Sequence, residues 1–327
     1  MKAIVYHEYG SPNVLNLEDV DKPAPKDNEV LIEVHAASVN AADWHLLRGD
    51  PFLLRLDSGL LKPKNTILGA DIAGRVETVG SNVKQFQSGD EVFGDISECG
   101  FGGYAEYVSV HENVLALKPT NMTFEQAAAV PMAAVTALQG LRDKGQIQQG
   151  QKVLIYGASG GVGMFAVQIA KSFEAEVTAV CSTRKLDMVR SIGADHVIDY
   201  TQVDFTKNGQ RYDLIVAANG YRSLSDYRRA LSPNGIYVCT GGSMAQIFQS
   251  MLLGPFISMN GSKKMANLAA KPNQKDLAFM TELLEAGKVV PVIDRRYPLS
   301  EVPEAIQYLG EGHAKGKVVI SLEHDGK

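Results

Sequence analysis

Lys152-Val153-Leu154-Ile155-Tyr156 runs directly into Gly157-Ala158-Ser159-Gly160-Gly161-Val162-Gly163, and this junction limits what the chain can fold into more than any other segment. A short aliphatic and aromatic run of this kind suits a strand buried on both faces. Past the glycines, Val162, Phe165, Ala166, Ile169, Ala170 and Phe173 recur at helical spacing, so the segment reads as strand, glycine turn and helix. The turn matches A-x-G-x-x-G, with Ala158 where the dinucleotide fingerprint has its first glycine. Glycines let the backbone approach a pyrophosphate, whose charge is stabilised by free N–H groups and the positive end of the helix.

The pattern repeats downstream. Glu176–Cys181 reads as a second strand, Lys185 to Ile192 as a helix stopped by Gly193, and His196–Tyr200, Asp213–Ala218 and Gly235–Thr240 as three further strands. Helix or turn signals separate them, which predicts a parallel, doubly wound Rossmann sheet that binds ligands at the carboxyl ends of its strands.

The end of the second strand bears on which dinucleotide is bound. A carboxylate about twenty residues past the glycine turn would bond a ribose 2′-hydroxyl and repel a 2′-phosphate. This chain has Ser182, Thr183, Arg184 and Lys185 there. Two hydroxyls and two cations suit a phosphate dianion. NADPH is therefore expected in preference to NADH; a solvated, basic helix start is the alternative.

With 327 residues, 45% hydrophobic and 21% charged, the chain suits two globular domains. A net charge of −5 with scattered basic residues recommends neither nucleic acid nor a membrane surface, and a small-molecule partner is expected. Cys99, Cys181 and Cys239 are an odd number without close pairing. With no signal peptide or long apolar span in view, they suggest a reducing, cytoplasmic setting.

The first third differs in texture. Met1–Val5, Val30–Ala36, Ile72–Val79, Glu91–Phe93 and Tyr104–Val110 read as short strands between Gly, Pro and Asp clusters, which predicts a β-rich, partly barrel-like module. Thr123 is a plausible N-cap for the helix that follows. After Lys271-Pro272, a helix from about Gln274 to Glu285, then strand, helix and a final strand Lys317–Ile320, return to the first module. The expected division is a catalytic domain over 1–122, a nucleotide-binding domain over 123–271 and a returning segment over 272–327.

Taken together, these residues resemble the medium-chain dehydrogenase/reductase superfamily, in its zinc-independent quinone oxidoreductase and enone reductase branch. The resemblance rests on Met1–Val5, Gly10-Ser11-Pro12, Ala37–Trp44, Leu68–Gly74, Gly102–Tyr107, Ala128–Pro131 with Thr136-Ala137-Leu138, and the glycine turn. It implies a GroES-like catalytic domain and a Rossmann domain with an active-site cleft between them. In zinc-dependent relatives the catalytic metal takes Cys, His and Cys, and the matching positions here are Asn40, Ala70 and Met132. Asn and Met are poor zinc ligands and Ala has no donor atom, so no metal is expected. Without a Lewis acid, reduction of an activated acceptor is easier than oxidation of an alcohol. The resemblance thus implies hydride transfer from NADPH to a quinone or an α,β-unsaturated carbonyl.

The resemblance also implies site residues. Asn40 would orient nicotinamide or acceptor, a turn-stabilising role being the alternative. His45 is the candidate proton donor or substrate contact, while Asp43 braces the loop. Thr136 matches a position beside the nicotinamide ribose. Ser159, Gly160, Gly161 and Val162 would surround the pyrophosphate, and Tyr200 would offer its hydroxyl to the adenosine phosphate. Asn219-Gly220 and Gly241-Gly242 would let the nicotinamide half pass close to backbone. Lys317 resembles a tail lysine near the cofactor, against a default of a solvated strand end. The methionine-rich segment Met244 to Met265 suggests an acceptor wall, a subunit interface or core. The family implies a homodimer through edge strands near Phe256 to Asn260. An NADPH-binding sensor with little turnover and an alcohol dehydrogenase-like enzyme are the alternatives.

Overall fold

The computed structural model describes residues 1–242, 244–259 and 262–323. In chain order it begins β1 (Lys2–Val5), β2 (Asn16–Asp19), β3 (Glu29–Val39), α1 (Ala41–Arg48), α2 (Arg55–Ser58), β4 (Asp71–Val79), β5 (Glu91–Asp95), β6 (Tyr107–His111), β7 (Leu115–Leu117) and α3 (Phe124–Ala128). Next come α4 (Pro131–Gln139), β8 (Lys152–Tyr156), α5 (Gly161–Ser172), β9 (Glu176–Cys181), α6 (Leu186–Ser191), β10 (His196–Asp199), β11 (Tyr212–Ala217), α7 (Leu224–Ala230), β12 (Leu231–Cys239), α8 (Met244–Met259) and β13 (Lys264–Asn267). The chain closes with α9 (Gln274–Glu285), β14 (Ile293–Pro298), α10 (Val302–Gly310) and β15 (Lys317–Ser321). Two compact units share these elements. The first holds Met1–Met132, Pro272–Glu285 and the chain from Ile293 on; the second holds Ala133–Lys271 and Ala286–Val292.

In the first unit, β14-β15-β3-β4-β5-β7 form one sheet, with β6 also paired to β3. All its pairings are antiparallel except β14 with β15. The apolar residues Val30, Ile32 and Val34 alternate along β3 and pack with Ile72, Val92, Val110 and Ile320 in one core, the period of two that a sheet face demands. The C-terminal strand β15 lies between β14 and β3, with Val318 opposite Val39 and Ile320 opposite Ala37. The return of the tail is therefore a strand insertion. Thr123 caps α3 by accepting the Gln126 N–H, and the Gln126 side chain accepts the Thr123 N–H, a reciprocal capping box.

The second unit is a six-stranded parallel sheet ordered β10-β9-β8-β11-β12-β13. This is the doubly wound order whose direction reverses beside its first strand, β8, where such sheets bind ligands at the carboxyl ends. Leu154, Ile215, Tyr237 and Cys239 share its core with Tyr156, Tyr212 and Tyr227. Five of its strands fall where the apolar runs place them; β13 arises within the segment read only as soft and apolar. The expected edge strand near Phe256 to Asn260 is corrected here: residues 256–259 end α8, Asn260 lies outside the described residues, and the edge strand is β13. Among the described residues no helix is long and apolar enough to cross a membrane.

Candidate active site

The glycine turn sits at the carboxyl end of β8, where α5 begins at Gly161 with Gly160 as N-cap. A Cβ on Gly163 would lie 2.1 Å from Gly157 O and 2.7 Å from Ala158 Cα, so a side chain there would push helix from strand. At Gly160 a Cβ would meet only Gly157 O, at 3.6 Å. One glycine permits close packing, and the other leaves open space beside the first N–H groups of α5, which have no intrahelical acceptors. This cradle fits a pyrophosphate. Across the direction reversal of the sheet, Asn219 approaches Gly157 so closely that a Cβ on Gly157 would lie 2.9 Å from Asn219 Cβ. Gly220 and Gly242 form a parallel bridge beyond the ends of β11 and β12. The structure thus gathers Ser159 to Val162, Asn219, Gly241 and Gly242 along one sheet edge. Thr136 lies buried on α4 of the same unit.

At the end of β9, Thr183–Lys185 form a 3₁₀ turn. Arg184 is exposed, with no partner among the described residues, while Thr183 turns toward the neighbouring strand. Its hydroxyl donates to Asp199 Oδ2 and lies 3.2 Å from the Thr201 hydroxyl. Asp199 also accepts the Thr201 N–H at 2.9 Å and hydroxyl at 2.7 Å. The Thr183 bond, ahead of those from Thr201, holds its carboxyl below the usual range. Sequence reading found no carboxylate here, because Asp199 arrives from the next strand of the sheet. Tyr200 follows it at 46% exposure, its ring tilted against that of Tyr156 with 6.3 Å between centroids.

The first unit presents a different arrangement. Asn40 precedes α1, and the Asp43 carboxylate accepts its backbone N–H at 2.8 Å and that of Gly69 at 3.0 Å. Asp43 therefore braces the loop as expected. Burial pushes its carboxyl up to about 6, against the opposing pull of those two N–H donors. Asn40's side chain serves a separate cluster. Nδ2 donates to Asp71 Oδ2 at 2.9 Å, and Oδ1 accepts from Lys317 Nζ at 2.6 Å. Lys317 Nζ also stands 3.2 Å from Asp71 Oδ2, and Ser38 Oγ donates to the same oxygen at 2.9 Å. Asp71 Oδ1 accepts the Met132 N–H at 2.8 Å.

Asp71 is fully buried and Lys317 is 3% exposed, which corrects the default of a solvated strand-end lysine. Asp71 also faces Asp95 across β4 and β5. Burial first, then the Asp71 charge, pushes the Asp95 carboxyl up to about 7, while Lys317 pulls it back. Sequence reading missed Asp71 and Asp95 as members of the cluster; the only signal was a carboxylate inside an otherwise apolar strand pattern. His45, half-buried on α1, places Nδ1 3.0 Å from Asp50 O. A carbonyl only accepts, so Nδ1 carries a proton and Nε2 is the nitrogen left for a ligand.

The comparisons agree with this architecture. A model of the alcohol dehydrogenase GroES-like domain matches residues 26–120, and one of zinc-binding dehydrogenases matches residues 192–320. A 2-methylene-furan-3-one reductase of Solanum lycopersicum is 38% identical over 98% of this chain and 79% of its own length. The chain belongs to the medium-chain dehydrogenase/reductase superfamily. It is an oxidoreductase of that superfamily, grouped with quinone oxidoreductases and enone reductases. An Arabidopsis thaliana chloroplastic NADPH-dependent alkenal/one oxidoreductase is 36% identical over 98% of this chain and 79% of its own length. The solved quinone oxidoreductase of Coxiella burnetii superimposes with a TM-score of 0.87 at 30% identity, covering 99% of each chain.

The zinc in the matched family description does not fit the residues present in this medium-chain oxidoreductase. Ala70 has no donor atom, the Asn40 amide is committed to Asp71 and Lys317, and an ammonium beside that amide opposes a second cation. Among the described residues, no group of three or more His, Cys, Asp or Glu side chains is placed to hold a metal.

Proposed function

We propose that this chain is a zinc-independent reductase that uses NADPH, in preference to NADH, to reduce a quinone or an α,β-unsaturated carbonyl. The observation that carries the reading is the open glycine cradle at the carboxyl edge of the parallel sheet; in the other unit, the buried ammonium of Lys317 beside the Asn40 amide supports a reading without zinc. When bound, the nicotinamide supplies a hydride. Ser159, Gly160, Gly161 and Val162 hold the pyrophosphate through backbone N–H groups. Ser182, Arg184 and Lys185 face the 2′-phosphate, with the exposed Arg184 guanidinium offering a planar fork, and Thr183 completes the site by occupying the Asp199 carboxylate beside it. Tyr200 offers a hydroxyl on the same side of the sheet, and Thr136, Asn219, Gly241 and Gly242 serve the nicotinamide half.

Asn40 orients the reacting groups. His45 delivers a proton from Nε2, which it can do only as imidazolium because Nδ1–H is held by Asp50 O. Donors beside the acceptor oxygen matter because negative charge develops there as the carbon skeleton is reduced.

The relatives named above support the acceptor classes. Three free cysteines are in keeping with a reducing cytoplasm. The exposed apolar residues Phe248, Met251, Leu252 and Leu253 of α8, next to the edge strand β13, support a homodimer, which sedimentation at micromolar concentration tests. The test of the function is oxidation of NADPH against a panel of quinones and enones, with kcat/KM compared for NADPH and NADH. Arg184→Ala is expected to raise the KM for NADPH about tenfold or more, the worth of a charged hydrogen bond, and to leave NADH unchanged. A preference for NADH in the unaltered protein overturns the cofactor assignment. Binding without turnover of any acceptor overturns the reductase reading.

A further inference from the structure

The Asp71–Lys317 pair is buried on two strands, β4 and β15, on either side of β3. Burying two charges costs several kcal/mol per ion before their attraction is counted, and apolar residues of similar size often replace such pairs without loss of stability. The pair's closest shared neighbour is the Asn40 amide, with its oxygen 2.6 Å from the ammonium and its nitrogen 2.9 Å from the carboxylate. Turning the amide over would set an NH₂ against an NH₃⁺ and an oxygen against a carboxylate, so one orientation is enforced. In that orientation one Nδ2 hydrogen is spent on Asp71. The other reaches only a 3.5 Å contact with Ser38 O, too long to be a strong bond. Asn40 retains 7% exposure. Ser38 and the Met132 N–H hold the carboxylate from other directions, so the lock does not depend on the amide itself.

We propose that Asp71 and Lys317 are positioning residues that fix the Asn40 amide with one N–H available to the acceptor's carbonyl oxygen. The inference rests on the reductase reading. It adds that a buried ion pair orders the polar group offered to the substrate.

The test uses Asp71→Asn, Lys317→Gln and the charge-free double variant Asp71→Asn/Lys317→Met, each alone and combined with Asn40→Ala. Turnover of 9,10-phenanthrenequinone and of methyl vinyl ketone is measured with NADPH, and NADPH affinity is read from nucleotide fluorescence. Spectra of protein labelled with ¹⁵N-asparagine, free of nucleotide, report the Asn40 side-chain NH₂ pair, assigned by its loss in Asn40→Ala. The expected result is a fall in kcat of at least tenfold in every variant, with NADPH affinity within twofold. No further loss is expected when the changes are added to Asn40→Ala, and the Asn40 NH₂ resonances should shift or broaden.

The double variant removes both charges of the pair together and strands neither partner, so it answers the question if either single variant fails to fold. Losses that multiply with Asn40→Ala, an unmoved NH₂ pair, or weakened NADPH binding at unchanged kcat would each overturn the proposal, the last by making Lys317 a cofactor contact. If the unaltered protein reduces neither acceptor, the reductase reading fails, and the NH₂ spectra alone decide whether the lock exists.

Discussion

The edge of the parallel sheet and the centre of the antiparallel one handle polar groups in opposite ways. Around the glycine turn, donors are left unmatched. Gly160 faces open space and Arg184 extends into solvent, and a neighbouring carboxylate, Asp199, has its oxygens taken by Thr183 and Thr201. Around Asp71, charges are hidden and answer one another, with an ammonium, an amide, a hydroxyl and a backbone N–H on one carboxylate. A site that awaits an anion keeps a cation available to it, as Arg184 is here. A site that must hold one side chain still pairs its charges and excludes water, because a fully matched network in a low dielectric is rigid.

The sharpest way to break this contrast is to unmatch the buried cluster. Asp71→Ala strands Lys317 and three donors without water, and the expected loss is about 3–5 kcal/mol of unfolding free energy, measured by denaturant titration. A loss under about 1 kcal/mol would mean that the cluster is wet and resembles the other site.

Asp95 probes the same region with the opposite sign. Its carboxyl is held up at about 7 against an ordinary 3.8. The folded chain therefore keeps a proton that the unfolded chain releases between about pH 4 and pH 7, and this residue's contribution to stability falls as pH rises through that window. Asp95→Asn is expected to be more stable than the unaltered protein at pH 8, by on the order of 1–3 kcal/mol. The difference should vanish toward pH 4, as read from melts across pH.

On the open edge, Gly163→Ala forces a methyl against Gly157 O and should cost about 1–3 kcal/mol. Nucleotide fluorescence titration should show weakened NADPH binding as well, because the helix N-terminus moves. The smallest effect belongs to Thr183→Ala. It frees an Asp199 lone pair toward the 2′-phosphate and should raise the KM for NADPH about fivefold, with NADH unchanged or improved.

These two regions also differ in how far they could be read from the chain. The glycine turn is local: strand, turn and helix lie within Lys152 to Phe173, and the apolar runs of β9, β10 and β11 mark their own positions. The limits of β12 were less visible. It begins at Leu231, ahead of Pro233 and Asn234, where the pairing with β11 shifts register. Strand β13 hid in a methionine-rich apolar segment, where periodicity does not separate a short strand from a helix. The polar cluster was legible only in part. Asn40 and Lys317 stood out by resemblance, but Asp71 looked like one polar residue in an apolar run, and pairing across most of the chain leaves no periodic trace. Asp199 escaped for the same reason, since its effect on the phosphate site comes from strand adjacency.

The position of β15 between β14 and β3 has a consequence for synthesis. Residue 317 leaves the ribosome after every other strand of the two sheets, so until then the earlier strands lack a central neighbour and Asp71 lacks its counter-ion. The antiparallel unit, although it holds the earlier strands, is expected to be completed after the parallel sheet, whose whole sequence precedes β15.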